Sequence, residues 1–384
     1  MLLRSAEINI MSENGNDMRP SFKAELYMWC PVLALYWLVT WCGLTFGLYF
    51  TLLRSAAPPL VIYPLFLQLS YRWPQFVKTW EIVQEKITLR VSSRVLSRKI
   101  YIYTLIFASL RCCFFLSGYV VAGVRIIQCE GVTTIYTFVH MLFQVRFPHI
   151  FSITPPTFWK CITCAFLELI STLSWLCAEL IVLHISLILL ENFRVYNVHL
   201  KQSTFKSSSQ FWHVMRKEYV WLSVMTNSAD SLLSPFIFTI LILETMLLIL
   251  FIYLVLTHSY TLLSYGYFLI FFLSHLGIDV ITLVAMATIF DESKKPLTVL
   301  HNLPSTLFCQ EVRRLYTQVK RDTVALTGCK FFVVTQTAAL SIISALVTYE
   351  VLLVQLGNLK HEPDNMDSPD AGFCSWIETY LSLK

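Results

Sequence analysis

The sequence predicts an all-α, polytopic membrane protein with seven transmembrane helices, its amino terminus cytoplasmic and its carboxy terminus extracellular. Three observations predict this. Of the 384 residues, 56% are hydrophobic and only 14% charged, whereas a soluble domain carries about 25% charged residues. A soluble chain of this size cannot hide so much apolar surface in one core. The apolar residues also gather into stretches near the roughly 20 residues that a membrane-crossing helix needs. Finally, the basic residues concentrate in alternate connections, as positive charge does on the cytoplasmic side. An ordinary cytosolic enzyme, a disordered chain and a collagen-like fibre are excluded. The formal net charge of +5 is small and unevenly placed. It reports orientation in a bilayer rather than affinity for nucleic acid.

Residues 1–26 are polar and mixed in charge, with no apolar core leading to a small-residue cleavage site. They are expected to form a cytoplasmic segment, with the first span acting as the insertion signal. The predicted spans cover residues 27–49, 59–73 (short), 100–124, 161–190 (long), 233–256, 262–290 and 331–357. An acidic tail, 358–384, is expected outside. Residues 133–153 are apolar too, but His140, Arg146, Pro148 and His149 interrupt them. They are predicted as an aromatic extracellular loop with a helix lying at the interface. Arg4, Arg19 and Lys23 precede the first span. Arg90, Arg94, Arg98 and Lys99 lie between spans two and three. Arg194, Lys201, Arg216 and Lys217 lie between four and five, and Lys294, Lys295, Arg313, Arg314, Lys320 and Arg321 between six and seven. Were 133–153 to cross, the later basic connections would fall outside. A G-protein-coupled receptor has the opposite polarity. Its Asp-Arg-Tyr after span three and Asn-Pro-x-x-Tyr in span seven are missing here.

The sequence holds no phosphate loop, no His-Glu-x-x-His and no Gly-x-Ser-x-Gly. No cofactor is expected. Cys161 and Cys164 lack a second pair at zinc spacing, so no metal site is expected either. Among the eleven cysteines, Cys30, Cys42, Cys112, Cys113 and Cys177 fall within spans as packing residues. Cys129, Cys161 and Cys374 can face outside, which allows one disulfide without assigning it. A polytopic membrane transferase is an alternative of another class. It would need a His or carboxylate cluster at one membrane face, and the nine His are scattered.

Charged residues inside spans are costly in lipid and face a protein interior or a water-filled cavity. They are Arg111, Glu168, Glu179, Glu244, Asp279 and Glu350. Glu168, Ser171, Trp175 and Glu179 share one stripe of span four. An indole face beside a carboxylate suits a sugar ring, whose C–H edges stack while its hydroxyls donate to the acid. The same spacing suits a Trp packed in the bundle with Glu179 paired to Arg111. In span seven, Ala345, Tyr349, Leu352, Gln355 and Leu356 share a stripe that Thr348 and Ser341 extend. Small and polar residues ending in apolar ones fit a pore wall with a hydrophobic constriction, and equally fit helix–helix packing.

Residues Thr348-Tyr349-Glu350-Val351-Leu352-Leu353-Val354-Gln355-Leu356 resemble the terminal signature of insect gustatory receptors: Thr-Tyr, five mostly apolar residues, then Gln-Phe. Leu356 stands where the family has Phe. Other stretches resemble the sugar-receptor branch. They include Leu67 to Pro74 followed by Trp80, Ser171 to Glu179, and Phe211-Trp212 through Arg216, Tyr219-Val220 and Asp230. Asp291 to Pro296, Glu311 to Leu315 and Val324 to Thr335 continue the likeness. Departures are Leu176, Cys177 and Glu179 in the span-four pattern, Gln336 where an Arg is usual, and Arg111-Cys112 where an acidic-His pair is expected.

This resemblance implies the insect chemoreceptor channel fold, with one channel domain over residues 27–357. It implies a tetrameric, ligand-gated, non-selective cation channel for taste, homomeric or heteromeric with other gustatory subunits, that needs no G protein. It places the protein in the plasma membrane, expected in sensory-neuron dendrites, with a sugar as the tastant. Leu356 and Gln355 would form the gate, joined by Leu352 one turn inward. Thr348, Tyr349 and Gln355 carry the family signature. Trp175 and Glu179 are the candidate ligand-pocket residues. A bitter or lipid-like ligand, or an obligate heteromer subunit that binds nothing itself, are alternatives within the same family. Nucleic acid is not an expected partner.

Overall fold

The computed structural model describes residues 48–87, 93–128, 134–151, 155, 157–203, 209–257, 262–304, 307–345 and 348. Five long helices and two short ones run through them: α1 (Leu48–Lys86), α2 (Ser93–Gln128), the short α3 (Ile135–Arg146) and α4 (Pro148–Phe151), then α5 (Phe158–Ser203), α6 (Ser209–Thr257) and α7 (Leu262–Lys294). Helices α8 (Pro296–His301) and α9 (Gln310–Arg321) follow. A two-residue hairpin of β1 (Thr327–Gly328) and β2 (Phe332–Val333) then leads into α10 (Gln336–Ala345). The chain divides into two units, residues 1–61 and residues 62–384. The described part of the first is the opening stretch of α1; the second holds everything discussed below.

Among the described residues, four helices carry apolar stretches long enough to cross a membrane, at Arg94–Gln128, Phe158–Gln202, Ser209–Leu248 and Leu269–His301. They overlap the predicted third to sixth spans. Hydropathy marks only the portion of a helix inside lipid, and these helices run well past it. At 1.5 Å per residue, the 49 residues of α6 extend roughly 70 Å, against about 30 Å of hydrocarbon. The fifth span is therefore the outer half of a helix that begins at Ser209, within the expected cytoplasmic connection. The span expected from 331 starts instead at Gln336, because Phe332 and Val333 pair back onto Gly328 and Thr327. The first predicted span lies outside the described residues apart from its last two positions, as do residues 349–357 of the seventh.

Within the predicted 133–153 stretch, the described residues 134–151 form two short helices. The twelve residues of α3 are too few to cross. Thr134 caps α3, its hydroxyl accepting from the Thr137 N–H at 3.3 Å. His140, Met141 and Gln144 face inward against α2. Beneath α4, Phe147 and Phe151 pack on Cys161 and Cys164 at the start of α5. Those two thiols are free, as are Cys112, Cys113 and Cys177. The latter three are exposed on the outer surface of the helices rather than packed inside the bundle.

Helix α5 is the centre of the bundle and packs on α2, α6 and α7. Phe107, Leu183, Leu187, Ile278 and Ala285 form an apolar core between α2, α5 and α7. Lipid tails are as apolar as these side chains, so packing and interhelical hydrogen bonds hold such helices together. Hydroxyls within the spans turn back on their own helices: Ser186 to Val182 at 2.7 Å, Thr245 to Leu241 at 2.7 Å and Thr282 to Ile278 at 2.9 Å. No water is needed to satisfy them.

Candidate ligand and gating sites

Four polar rungs join α2 to α5. Tyr119 donates to Glu168 at 2.7 Å. Arg111 pairs with Glu179. Thr104 meets His184 at 2.9 Å. Lys99 donates to Glu191 at 2.7 Å. Numbers fall along α2 as they rise along α5, so the helices are antiparallel with a polar contact roughly every two turns. This agrees with the inside-to-outside alternation read from the basic residues.

The second rung opens into a buried network. Arg111 grips Glu179, with Nε at 3.3 Å from Oε2, and also donates to Glu244 Oε1 on α6 at 3.0 Å. Its third partner is His275 Nε2 on α7, at 2.7 Å. His275 Nδ1 lies 2.5 Å from Glu244 Oε2. Trp175 Nε1 donates to both acids, at 2.8 Å to Glu179 and 2.5 Å to Glu244. Arg111, Glu179 and Glu244 are 5%, 1% and 1% exposed. The planar guanidinium supplies five donors, which lets one residue bridge three helices. On the His275 side, Phe114 meets the imidazole edge-on at 5.5 Å and Phe271 lies tilted against it at 4.2 Å.

Trp175 and Glu179 therefore share a site, one turn apart, and the structure turns both polar ends toward Arg111 and Glu244. A cavity bordering Glu179 measures about 10 Å³, room for about one water. Sequence reading counted Arg111, Glu179, Glu244 and Asp279 but missed His275, because a neutral imidazole is not scored as a charge. Its signal was the spacing to Asp279, one helical turn on the same face.

A separate outer contact ties α3 to the bundle. Arg146 donates to Glu168 at 2.6 Å, with the two side chains 11% and 12% exposed. The guanidinium lies against α2 where Gly118 leaves room: a Cβ there would meet Arg146 at 2.7 Å.

At the cytoplasmic end, the hairpin is bolted to α6. Asp230 accepts from the Thr327 N–H at 2.6 Å and hydroxyl at 2.9 Å, and pairs with Lys330. The Cys329 N–H donates to the Ser234 carbonyl at 3.1 Å, beside Pro235. Cys329 and Lys330 hold positive φ, 46° and 62°, which the turn requires. Burial pushes the Cys329 thiol up to about 11. Lys294 closes the end of α9, donating to the Val319 and Asp322 carbonyls at 2.7 and 2.6 Å. A hydrogen bond from Arg216 at 2.7 Å holds the Glu311 carboxyl below its usual range.

Of the gate and signature residues, only Thr348 is described. It is helical and exposed, and its hydroxyl donates to the Ser344 carbonyl at 2.7 Å. Tyr349, Leu352, Gln355 and Leu356 lie outside the described residues. Among the described residues, no group of three or more His, Cys, Asp or Glu is arranged to hold a metal ion.

Residues 39–365 match the family described as trehalose receptor. The chain belongs to the trehalose receptor family. This family is that of insect gustatory receptors, which are multi-pass membrane proteins rather than enzymes. Trehalose-receptor relatives in Drosophila melanogaster include "Gustatory receptor for sugar taste 64a", 25% identical over 305 residues. That match covers 76% of this chain and 66% of the relative, just under two thirds of its length. "Gustatory receptor 5a for trehalose" is 35% identical over 107 residues, 27% of this chain and 24% of that protein. The fold is shared with the solved insect olfactory receptor OR5 from Machilis hrabei in complex with eugenol. Identity to it is 14% and the TM-score 0.59, over 85% of this chain and 88% of that one.

Proposed function

We propose that this protein is a gustatory receptor acting as a tetrameric, ligand-gated, non-selective cation channel for sugars at the plasma membrane of sensory neurons. The observation that carries the reading is α10. Within Gln336–Ala345, Ala339 alone is buried, although the segment opens the predicted seventh span. Leu340 is 64% exposed, while Ser341 and Thr348 turn their hydroxyls back on the helix. A helix that buries so little in its own chain suits a place between subunits around a pore. The sugar-taste names of the relatives, including the trehalose receptor, support the ligand class. Leu356 with Leu352 would form rings that exclude ions by dewetting, and Gln355 would replace lost hydration once the rings part. Sugar would act by binding the open form more tightly than the closed one.

The test is whole-cell current from cells expressing this chain alone, with mono- and disaccharides, polyols and bitter compounds applied after surface expression is confirmed. Sugar-evoked current is expected, and Leu356→Ala is expected to leak without ligand. A surface-expressed but silent Leu356→Ala channel counts against the gate. An unchanged dose–response in Glu179→Ala removes Glu179 from the pocket. A second reading, an obligate heteromer subunit, is favoured by the filled surroundings of Trp175 and Glu179, where the cavity is far smaller than a sugar ring. It predicts current only when a second gustatory subunit is co-expressed.

A further inference from the structure

Helix α2 turns one face away from the bundle. Only 28% of its apolar window is buried, against 56%, 61% and 50% in those of α5, α6 and α7. The outward face is a continuous stripe, with Tyr101, Leu105, Cys112, Leu116 and Val120 exposed at helical spacing. In a bilayer that stripe meets acyl chains. Toward the start of the helix the same stripe continues in charge. Arg98 and Arg94 stand one and two turns before Tyr101, and both are exposed. Among the described residues neither makes an ion pair, and the sequence of α2 contains no acid. Lys99, on the neighbouring face, is taken by Glu191 at 2.7 Å. The alternation of basic connections puts this end of α2 on the cytoplasmic side. The predicted third span begins at Ile100, so Arg98 lies about 3 Å and Arg94 about 9 Å below the hydrocarbon edge at 1.5 Å per residue. The headgroup layer is about 5–8 Å thick on each side, and both guanidinium groups reach it.

We propose that Arg94 and Arg98 hold the phosphate headgroup of an anionic phospholipid from the cytoplasmic leaflet, with its acyl chains along the Tyr101–Leu105 face of α2. One helical turn separates the two arginines, so two planar guanidinium forks converge on one phosphate. An arginine at a helix end also reaches water by itself. Two features favour a lipid over water alone. The acyl-chain face stands directly above the two cations on one stripe, and the helix supplies them no counter-charge, while the cytoplasmic leaflet is negative. The rung from Lys99 to Glu191 lies on the same turn, so a lipid held there steadies the inner end of α2 against α5.

The full-length protein is melted in phosphatidylcholine nanodiscs in which phosphatidylserine replaces a rising fraction of the lipid. A saturable rise of the melting midpoint is expected, smaller at about 1 M salt, where the screening length shrinks to about 3 Å. Each cation beside an anionic surface is worth about fivefold in affinity. Arg98→Gln is therefore expected to raise the half-saturating phosphatidylserine fraction about fivefold, and Arg94→Gln/Arg98→Gln to abolish the rise. Arg313→Gln/Lys320→Gln removes two exposed charges from α9 instead and is expected to leave it intact. All four side chains are exposed, so the variants keep the fold. A midpoint indifferent to phosphatidylserine overturns the proposal. So does an equal loss in both double variants, because general charge then suffices. An equal rise with soluble glycerophosphoserine in pure phosphatidylcholine overturns it by showing that no acyl chain is needed. Oxidative cross-linking of two copies through Cys112 at saturating phosphatidylserine overturns it by assigning the stripe to a second copy of the chain. The readout is lipid binding to the protein itself, so its outcome stands apart from whether sugar opens a channel.

Discussion

Replacing Arg111 by Gln keeps a polar though shorter side chain and removes the charge that Glu179 and Glu244 share. Both acids are 1% exposed, so solvent cannot take over. Breaking a buried ion pair by removing one partner costs about 3–5 kcal/mol, because the remaining charge stays buried and uncompensated. Here two acids lose their partner, and the upper part of that range is expected. Arg111→Lys is expected to rescue only in part, since an ammonium cannot reach Glu179, Glu244 and His275 together in the fork geometry of a guanidinium. The assay is thermal unfolding of purified protein in nanodiscs, followed by a double-mutant cycle with Glu179→Gln. The cycle should return a coupling energy of at least about 1 kcal/mol, within the range for residues in one salt-bridge network. An Arg111→Gln protein within about 0.5 kcal/mol of wild type, the level of an ordinary surface substitution, would refute the reasoning.

Three further outcomes follow from the geometry. Arg146→Ala should loosen α3 and α4 by about 1–3 kcal/mol, the cost of leaving Glu168 short of its partner, and Gly118→Ala should do the same by displacing the guanidinium; faster maleimide labelling of Cys161 and Cys164 reports it. Asp230→Ala should cost a similar amount by releasing Thr327 and Lys330, read as easier proteolysis of the 322–335 segment with little change in α5. The depressed Glu311 carboxyl contributes stability above its ordinary value of 4.5, and that contribution is lost as pH falls through its lowered folded value; Glu311→Gln should therefore lower stability at neutral pH, leave it nearly unchanged at strongly acid pH, and so flatten the acid side of the stability profile.

The four long apolar helices were legible because apolar stretches obey the bilayer's length rule. What lies beyond the bilayer was not. Residues 191–203 and 209–232 continue as helix because cytoplasmic side chains such as Trp212, Tyr219 and Leu222 bury against neighbouring helices, and hydropathy does not register a mixed polar surface. Spacing along α5 correctly put Trp175 beside Glu179, since that relation is local. The pairing of Glu179 with Arg111, 68 positions away, was one of the two readings of that stripe and is the one the structure holds, but nothing local said that His275, 164 positions from Arg111, joins them. The Asp230 bolt escaped notice for the same reason, and its strands of two residues leave no alternation to detect. Arg146 was read as an interruption of an apolar run, yet its charge is what docks α3 onto Glu168.

The central claim, that the chain itself is a sugar-opened cation channel, is tested most directly by reconstituting the purified full-length protein in a planar bilayer that contains no G protein or other subunit. Adding sugars to the face of the bilayer that carries the carboxy terminus is predicted to evoke single-channel openings that pass sodium and potassium alike. Properly folded protein that stays silent to every sugar in the panel, and that runs as a monomer in native mass analysis, would contradict it.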